Sequence, residues 1–274
     1  MQAAAIQMNS NRDGDRNLAD AAQLVAEAAA VGAELVVLPE KWPWLAQGEG
    51  VREGAEPLDG PALTAARSWA RDLGIHLVAG SFTESRPDGT LTNTCTAIGP
   101  DGEVVAIYRK LHLFDVEVDG VQYRESDHEE AGSEVVTFEI GDRVIGLAIC
   151  YDLRFPELFR ALAERGATVI CLPAAFTPKT GRDHWEVLVR ARAIENQCFF
   201  VAADQFGESG PGFSFWGHSV IADPWGHLLG ELEEGTGQVM AELDFDQLAR
   251  VRGELPALRH RRTDIFPTFS GEAA

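Results

Sequence analysis

AAAIQMNSNRDGDRNLADAAQLVAEAAAVGAELVVLPE (residues 3–40) reads as strand, helix, strand. Ala3 to Met8 is a short apolar run, followed from Asn9 to Arg16 by a turn rich in Asn, Asp and Gly. From Asn17 to Val31 the apolar residues Leu18, Ala21, Leu24, Val25 and Ala28 recur at helical spacing, and Gly32 ends the run. Glu34 to Leu38 is a buried strand broken by Pro39. The first 40 residues therefore form a β-α-β unit.

The pattern recurs. Helices are expected over Pro61–Leu73, Pro156–Arg165, Arg182–Asn196 and Asp244–Val251. Strands are expected over Ile75–Gly80, Thr92–Ile98, Glu103–Tyr108, Val135–Ile140, Arg143–Ile149, Thr168–Leu172, Cys198–Ala203, His218–Asp223 and Gln238–Leu243. Pro173 is read as a strand breaker, and the last two strands as flanking Pro224-Trp225-Gly226. This is an α/β chain with too many strands for one simple parallel sheet. Two sheets packed face to face with helices outside fit the count. No linker or composition break divides residues 1–274, so one domain is expected, with a core over about 2–266 and a tail at 267–274. The polar loop from Leu113 to Gly132 is long enough to suggest a functional role.

The net charge of −20 over 274 residues argues against nucleic acid and anionic membrane as partners. No window approaches the roughly 20 continuous apolar residues of a membrane span, and MQAAAIQMNSNRDGD lacks a basic signal-peptide start. A cytoplasmic location is expected. The cysteines Cys95, Cys150, Cys171 and Cys198 lie far apart, with no zinc-like spacing, so neither a metal nor a disulfide framework is expected. Only three of the 23 basic residues are lysine: Lys41, Lys110 and Lys179. Where arginine is the habit, a lysine draws attention for its compact, tunable ammonium.

Open α/β sheets place ligands beyond the C-terminal ends of their strands. Three such ends carry reactive side chains: Glu40 after LVVLP, Lys110 after AIYR and Cys150 after IGLAI. Each alone has a bland reading, as a solvated acid, a surface lysine and a small buried hydrophobe. Together they suit acyl transfer. A thiol of free pKa about 8.5 is activated by a neighbouring ammonium and a carboxylate base. The oxyanion then needs donors, which Lys110 and the backbone N–H of Tyr151 can supply. His112 is either a neighbour of this group or a plain loop histidine.

Several blocks resemble the nitrilase superfamily of carbon–nitrogen hydrolases: LPE at 38–40, RKLHLFD at 109–115, YRES at 123–126 and CYDLRFPE at 150–157. HWEVLVRARAIENQ at 184–197 and WGHSVIADPWG at 216–226 extend the match, in order, over nearly the whole chain. The resemblance implies a four-layer αββα sandwich that assembles as a homodimer or larger homo-oligomer. It also implies a Glu-Lys-Cys triad of Glu40, Lys110 and Cys150, with Glu125 as a second glutamate that orients Lys110 or the attacking water. No cofactor is implied. The implied reaction is thiolate attack on an amide, loss of ammonia and hydrolysis of a thioester.

Within the superfamily the blocks lean to the branch of omega-amidase and the deaminated-glutathione amidase, which act on a terminal amide of a chain carrying an α-keto acid. Tyr151 stands where true nitrilases typically carry tryptophan. The expected substrate is thus a small carboxylate-bearing amide, with another aliphatic amide, an N-carbamoyl compound or a nitrile as alternatives. Arg154 either forks the substrate carboxylate or pairs structurally with Asp152, Glu157 or another acid. Phe176, Thr177 and Thr180 are expected to line the pocket, and Lys179 to be exposed. KWPW at 41–44 departs from the branch pattern, so Trp42 and Trp44 either narrow the pocket or fill core. GESGPG at 207–212 reads as a flexible loop, HWE at 184–186 as a helix start, and RHRR at 259–262 as a basic run paired with acids or a partner subunit. The rival to an enzyme is a silent, partner-binding relative. Such relatives often lose part of the triad, and here every member is present.

Overall fold

The computed structural model describes residues 1–118, 120–210 and 212–266, so the expected tail at 267–274 lies outside the described residues. The opening unit is strand β1 (Gln2–Gln7), helix α1 (Gly14–Ala30) and strand β2 (Leu35–Val37), with β1 and β2 parallel. Asp13 caps α1 by accepting from Arg16 N at 3.1 Å. The helix buries Ala21, Leu24, Val25 and Ala28, the stripe its spacing predicts. After the short α2 (Gly50–Glu53), α3 runs from Pro61 to Leu73, with proline in its first turn and the left-handed Gly74 (φ 66°) at its end.

Strands β3 (His76–Ser85), β4 (Leu91–Ile98) and β5 (Val104–Arg109) follow. With β16 (Gly237–Glu242) at the other edge they complete a six-stranded sheet in the order β16-β1-β2-β3-β4-β5. The second six-stranded sheet is formed by β8 (Thr137–Ile140), β9 (Arg143–Leu147), β10 (Val169–Ala174), β11 (Phe199–Asp204), β14 (Ser219–Ala222) and β15 (Leu228–Leu232). Its order is β15-β14-β11-β10-β9-β8.

One face of the first sheet, including Ala4, Ile6, Val36, Leu38 and Leu77, packs against α1 and α3. Ala3, Ala5, Leu35, Val37 and Val78 on its other face join the second sheet in a shared core. That core continues into α4 (Pro156–Glu164) and α5 (Pro178–Asn196). The layers are therefore α-β-β-α, as expected. Among the described residues, no helix is long and apolar enough to cross a membrane.

Several local expectations are corrected. The strand paired with β14 across Pro224-Trp225-Gly226 is β15, which the sequence reading missed, and β16 instead pairs antiparallel with β1 in the other sheet. Pro173 lies inside β10, opposite Ala203. The ladder to β9 stops at Cys171, so past it a missing N–H is tolerated. The strand before Cys150 ends at Leu147. Gly207–Gly210 are not loop but belong to β12 (Phe206–Gly210), which pairs with β13 (Phe213–Trp216); Pro211 lies outside the described residues. The long 113–132 loop folds into a hairpin, β6 (Asp115–Val118) and β7 (Val121–Arg124), and a 3₁₀ turn at Glu125–Asp127. α5 begins at Pro178, so HWE lies within it rather than at its start. RHRR, which follows α6 (Phe245–Glu254), pairs with acids as expected, Arg261 with Glu164 and Arg262 with Asp264.

Gly181 on α5 lies against β13, and a Cβ there would fall 2.1 Å from Trp216 Cγ. In an open helix, alanine would be favoured over glycine by about 1 kcal/mol. Here overpacking wins, and Gly181→Ala should destabilise the fold by about 1–3 kcal/mol. A denaturant or thermal melt reads the sign directly, and a more stable variant would show that the contact is loose.

Candidate active site

Both sheets end at one cavity of about 370 Å³. Glu40, three residues past the end of β2 and directly after Pro39, projects from the first sheet, and so does Lys110, the residue after β5. Cys150 comes from the second sheet, opening a 3₁₀ helix (Cys150–Arg154) after β9. Glu125 is delivered by the 3₁₀ turn after the β6–β7 hairpin. All four line the cavity.

Their arrangement is a charge cluster. Lys110 Nζ donates to Glu40 Oε1 at 2.9 Å and to Glu125 Oε2 at 2.8 Å. Burial works against a charged Lys110, but Glu125 and Glu40 more than reverse it, and its pKa lies well above the usual lysine range. Burial would raise Glu125, yet the Lys110 and Lys41 charges bring it down to about 2. The Cys150 thiol meets the Glu40 carboxylate and the Ala175 N–H. Sequence reasoning expects the ammonium to lower the thiol's pKa. Lys110 does act that way, but burial and the Glu40 charge prevail and push the thiol well up. At neutral pH the sulfur therefore rests protonated and needs a base.

The turn that presents Cys150 is strained and tied. Cys150 sits in the left-handed region at φ 47°, a conformation that costs a non-glycine residue about 1–3 kcal/mol. Buried Asp152 holds the turn. It accepts from Ile149 N at 2.8 Å, Tyr108 Oη at 2.6 Å and His112 N at 3.2 Å, and pairs with His112 Nδ1 at 2.7 Å. His112 is thus a support of the turn, stacked on Phe155 at 3.7 Å. Tyr151 stands in the first 3₁₀ turn, where an N–H has no intrahelical acceptor.

Phe176, Thr177, Thr180 and Arg154 also line the cavity. Phe176 is fixed through its N–H to Asp204 Oδ1 at 2.9 Å. Thr177 and Thr180 hydroxyls meet at 2.9 Å. Arg154 pairs with neither Asp152 nor Glu157. Its guanidinium lies over the Phe176 ring at 5.5 Å and the Tyr151 ring at 5.8 Å, with Nη1 3.2 Å from His184 Nδ1. Among the described residues it has no carboxylate partner. Lys179 is exposed. Neither tryptophan of KWPW lines the cavity. Trp42 is core, donating to Ala79 O at 2.8 Å, and Trp44 ties down the α2 segment through Gly50 O at 3.0 Å.

A family description, carbon–nitrogen hydrolase, matches residues 2–253. The chain belongs to this family. It is similar to the deaminated glutathione amidase of Bos taurus, 41% identical over 96% of this chain and 82% of that one. It is also similar to omega-amidase NIT2 of Danio rerio, 37% identical over 97% of this chain and 96% of that one. Among solved structures, the NitFhit protein of C. elegans superposes with a TM-score of 0.89 at 36% identity. That match covers 97% of this chain and 66% of the longer NitFhit chain. This carbon–nitrogen hydrolase is therefore an amidase-type enzyme on a nitrilase-superfamily fold.

Sequence reasoning missed Asn93. It lies on β4 within LTNTC and looks like one more polar strand residue. Its Nδ2 donates to Glu40 Oε1 at 2.8 Å and to Glu125 Oε1 at 3.0 Å, and its backbone carbonyl accepts from Lys110 N at 2.9 Å. Asn93→Leu keeps the size and removes both donors. A hydrogen bond to a charged group contributes about 1.5–3 kcal/mol, so kcat for amide hydrolysis should fall at least about tenfold. Unchanged steady-state kinetics would show that Lys110 alone aligns the carboxylates.

Proposed function

We propose that the protein is a cysteine-dependent amidohydrolase for small amides that carry a carboxylate, such as deaminated glutathione or an α-keto acid ω-amide. One observation carries the reading: a buried lysine held between two carboxylates beside a buried thiol, all four lining one cavity. Glu40 takes the Cys150 proton as the sulfur attacks the amide carbon. The oxyanion forms against Lys110 Nζ and the Tyr151 N–H. Glu40 returns the proton to the leaving nitrogen. This departs as ammonia from a primary carboxamide or as an amine from a substituted one. Water, deprotonated by Glu40, then attacks the thioester. A second oxyanion collapses and the Cys150 thiol is restored. Glu125 keeps Lys110 charged and in place through both steps.

Arg154 supplies the carboxylate preference. Its fork is held by two ring faces and one imidazole, and it opens on the cavity, matching a bidentate carboxylate. The relatives' activities support this substrate class. A second copy of the chain is the proposed partner for the apolar face of Val187 and Ile194 on α5 with nearby Trp225, exposed by 67%, 48% and 51%.

Two experiments test the reading. Ammonia or amine release is measured across α-ketoglutaramate, deaminated glutathione, N-carbamoyl amino acids, neutral aliphatic amides and nitriles. The carboxylate-bearing amides should rank first, and Cys150→Ala should lose several orders of magnitude in turnover while folding normally. Near-normal turnover by that variant would end the proposal. Arg154→Ala should raise KM for the carboxylate-bearing amides about tenfold or more and leave neutral amides nearly unaffected. An equal loss on both kinds would reduce Arg154 to packing.

A further inference from the structure

A second cation stands beside the cluster. Lys41 follows Glu40 directly and lines the same cavity. Its backbone is left-handed, φ 56°, a state that survives in a long L side chain only where the surroundings fix it. Lys41 N donates to Ser81 Oγ at 3.1 Å, and Nζ to Thr83 Oγ1 at 2.6 Å. Nζ also forms an ion pair with Glu129, the two side chains being only 12% and 2% exposed. Glu129 lies one turn beyond Glu125, its N–H donating to the Glu125 carbonyl at 3.0 Å. The contacts close a ring. Lys110 joins Glu40 to Glu125 inside the cavity, and Lys41 joins the next residue on the strand side to the next turn on the hairpin side.

A buried ion pair is weak evidence for stability, because desolvation offsets its attraction. This one ties two segments, each of which bears a carboxylate of the cluster. Burial pushes Glu129 upward and Lys41 opposes that, while the Lys41 charge also helps hold Glu125 low. We infer that Lys41 and Glu129 are positioning residues: their ion pair fastens the turn carrying Glu125 to the strand end carrying Glu40, and so sets both carboxylates against Lys110. The inference rests on the role given above to Lys110 and its two glutamates.

The test compares Lys41→Met, Lys41→Arg, Glu129→Gln and the Lys41→Met/Glu129→Gln double variant with the unaltered protein. The substrate is the best amide of the panel, and each fold is checked by thermal melt. Lys41→Met and Glu129→Gln should each lower kcat about tenfold, with little change in KM. The double variant should lose no more than either single one, since coupled residues are not additive. Lys41→Arg, which keeps the pair, should recover most of kcat. A rise in KM at constant kcat would make Lys41 a substrate contact and overturn the inference. So would wild-type kinetics in Lys41→Met, or additive losses in the double variant. An unaltered protein that hydrolyses no amide of the panel would instead sink the proposed function, and this inference with it.

Discussion

The ammonium of Lys110 is the charge on which the site depends. A lysine this buried would lose its proton if left alone. Two carboxylates from separate segments prevent that, one at the end of β2 and one on the turn after β7. The segments converge only because the first sheet brings the ends of β2 and β5 to one edge and the 113–132 segment folds back over it. The carboxylates in turn tolerate each other because the ammonium lies between them and Asn93 donates to both. Removing Lys110 leaves two buried carboxylates facing each other with no cation between them.

The sulfur arrives from the other sheet, so the site exists only while the two sheets stay in register. Gln205, just past β11, enforces part of that register. Its Nε2 reaches Glu40 O and Ser10 Oγ, both at 2.9 Å, and its Oε1 accepts from Ser10 N at 3.0 Å. Asp152 does the same for the cysteine turn, joining it to Tyr108 and His112 of the first sheet's β5 end. These bonds cross between sheets whose facing surfaces are largely apolar, and Ser219 N to Gln7 Oε1 at 2.8 Å adds another. They are therefore well placed to fix one packing among several of similar burial.

Much of this was legible in the sequence because the information is local. The Pro61–Leu73 helix could be read to the residue, since proline and glycine mark its ends chemically. Glu40, Lys110, Cys150 and Glu125 stood out as reactive groups at strand ends and in ordered blocks. What escaped reading depends on partners far away in the chain. Gln238 to Leu243 looks like a strand, but nothing in it says that its partner is β1 rather than the strand before it. Asn93 looked ordinary because its meaning lies in what sits opposite it, and Lys41 stood out only as a rare lysine, with nothing local to point to Glu129. Trp42 and Trp44 misled in the other direction. Their place beside Glu40 suggested the pocket, yet the chain turns at Lys41 (φ 56°) and both rings are anchored away from the cavity, on Ala79 O and Gly50 O.

The raised pKa of Cys150 bears on how the protein survives between turnovers. Peroxides and electrophiles attack thiolates, and a buried, protonated sulfur offers them little to react with. Cys95, Cys171 and Cys198 are sealed at 0% exposure, so among the described residues the cavity is the one route by which such reagents reach a thiol. Under the proposed mechanism, the same burial that obliges the chemistry to use a base also shields the idle sulfur from oxidation. It would be vulnerable chiefly in the moments when Glu40 has taken its proton.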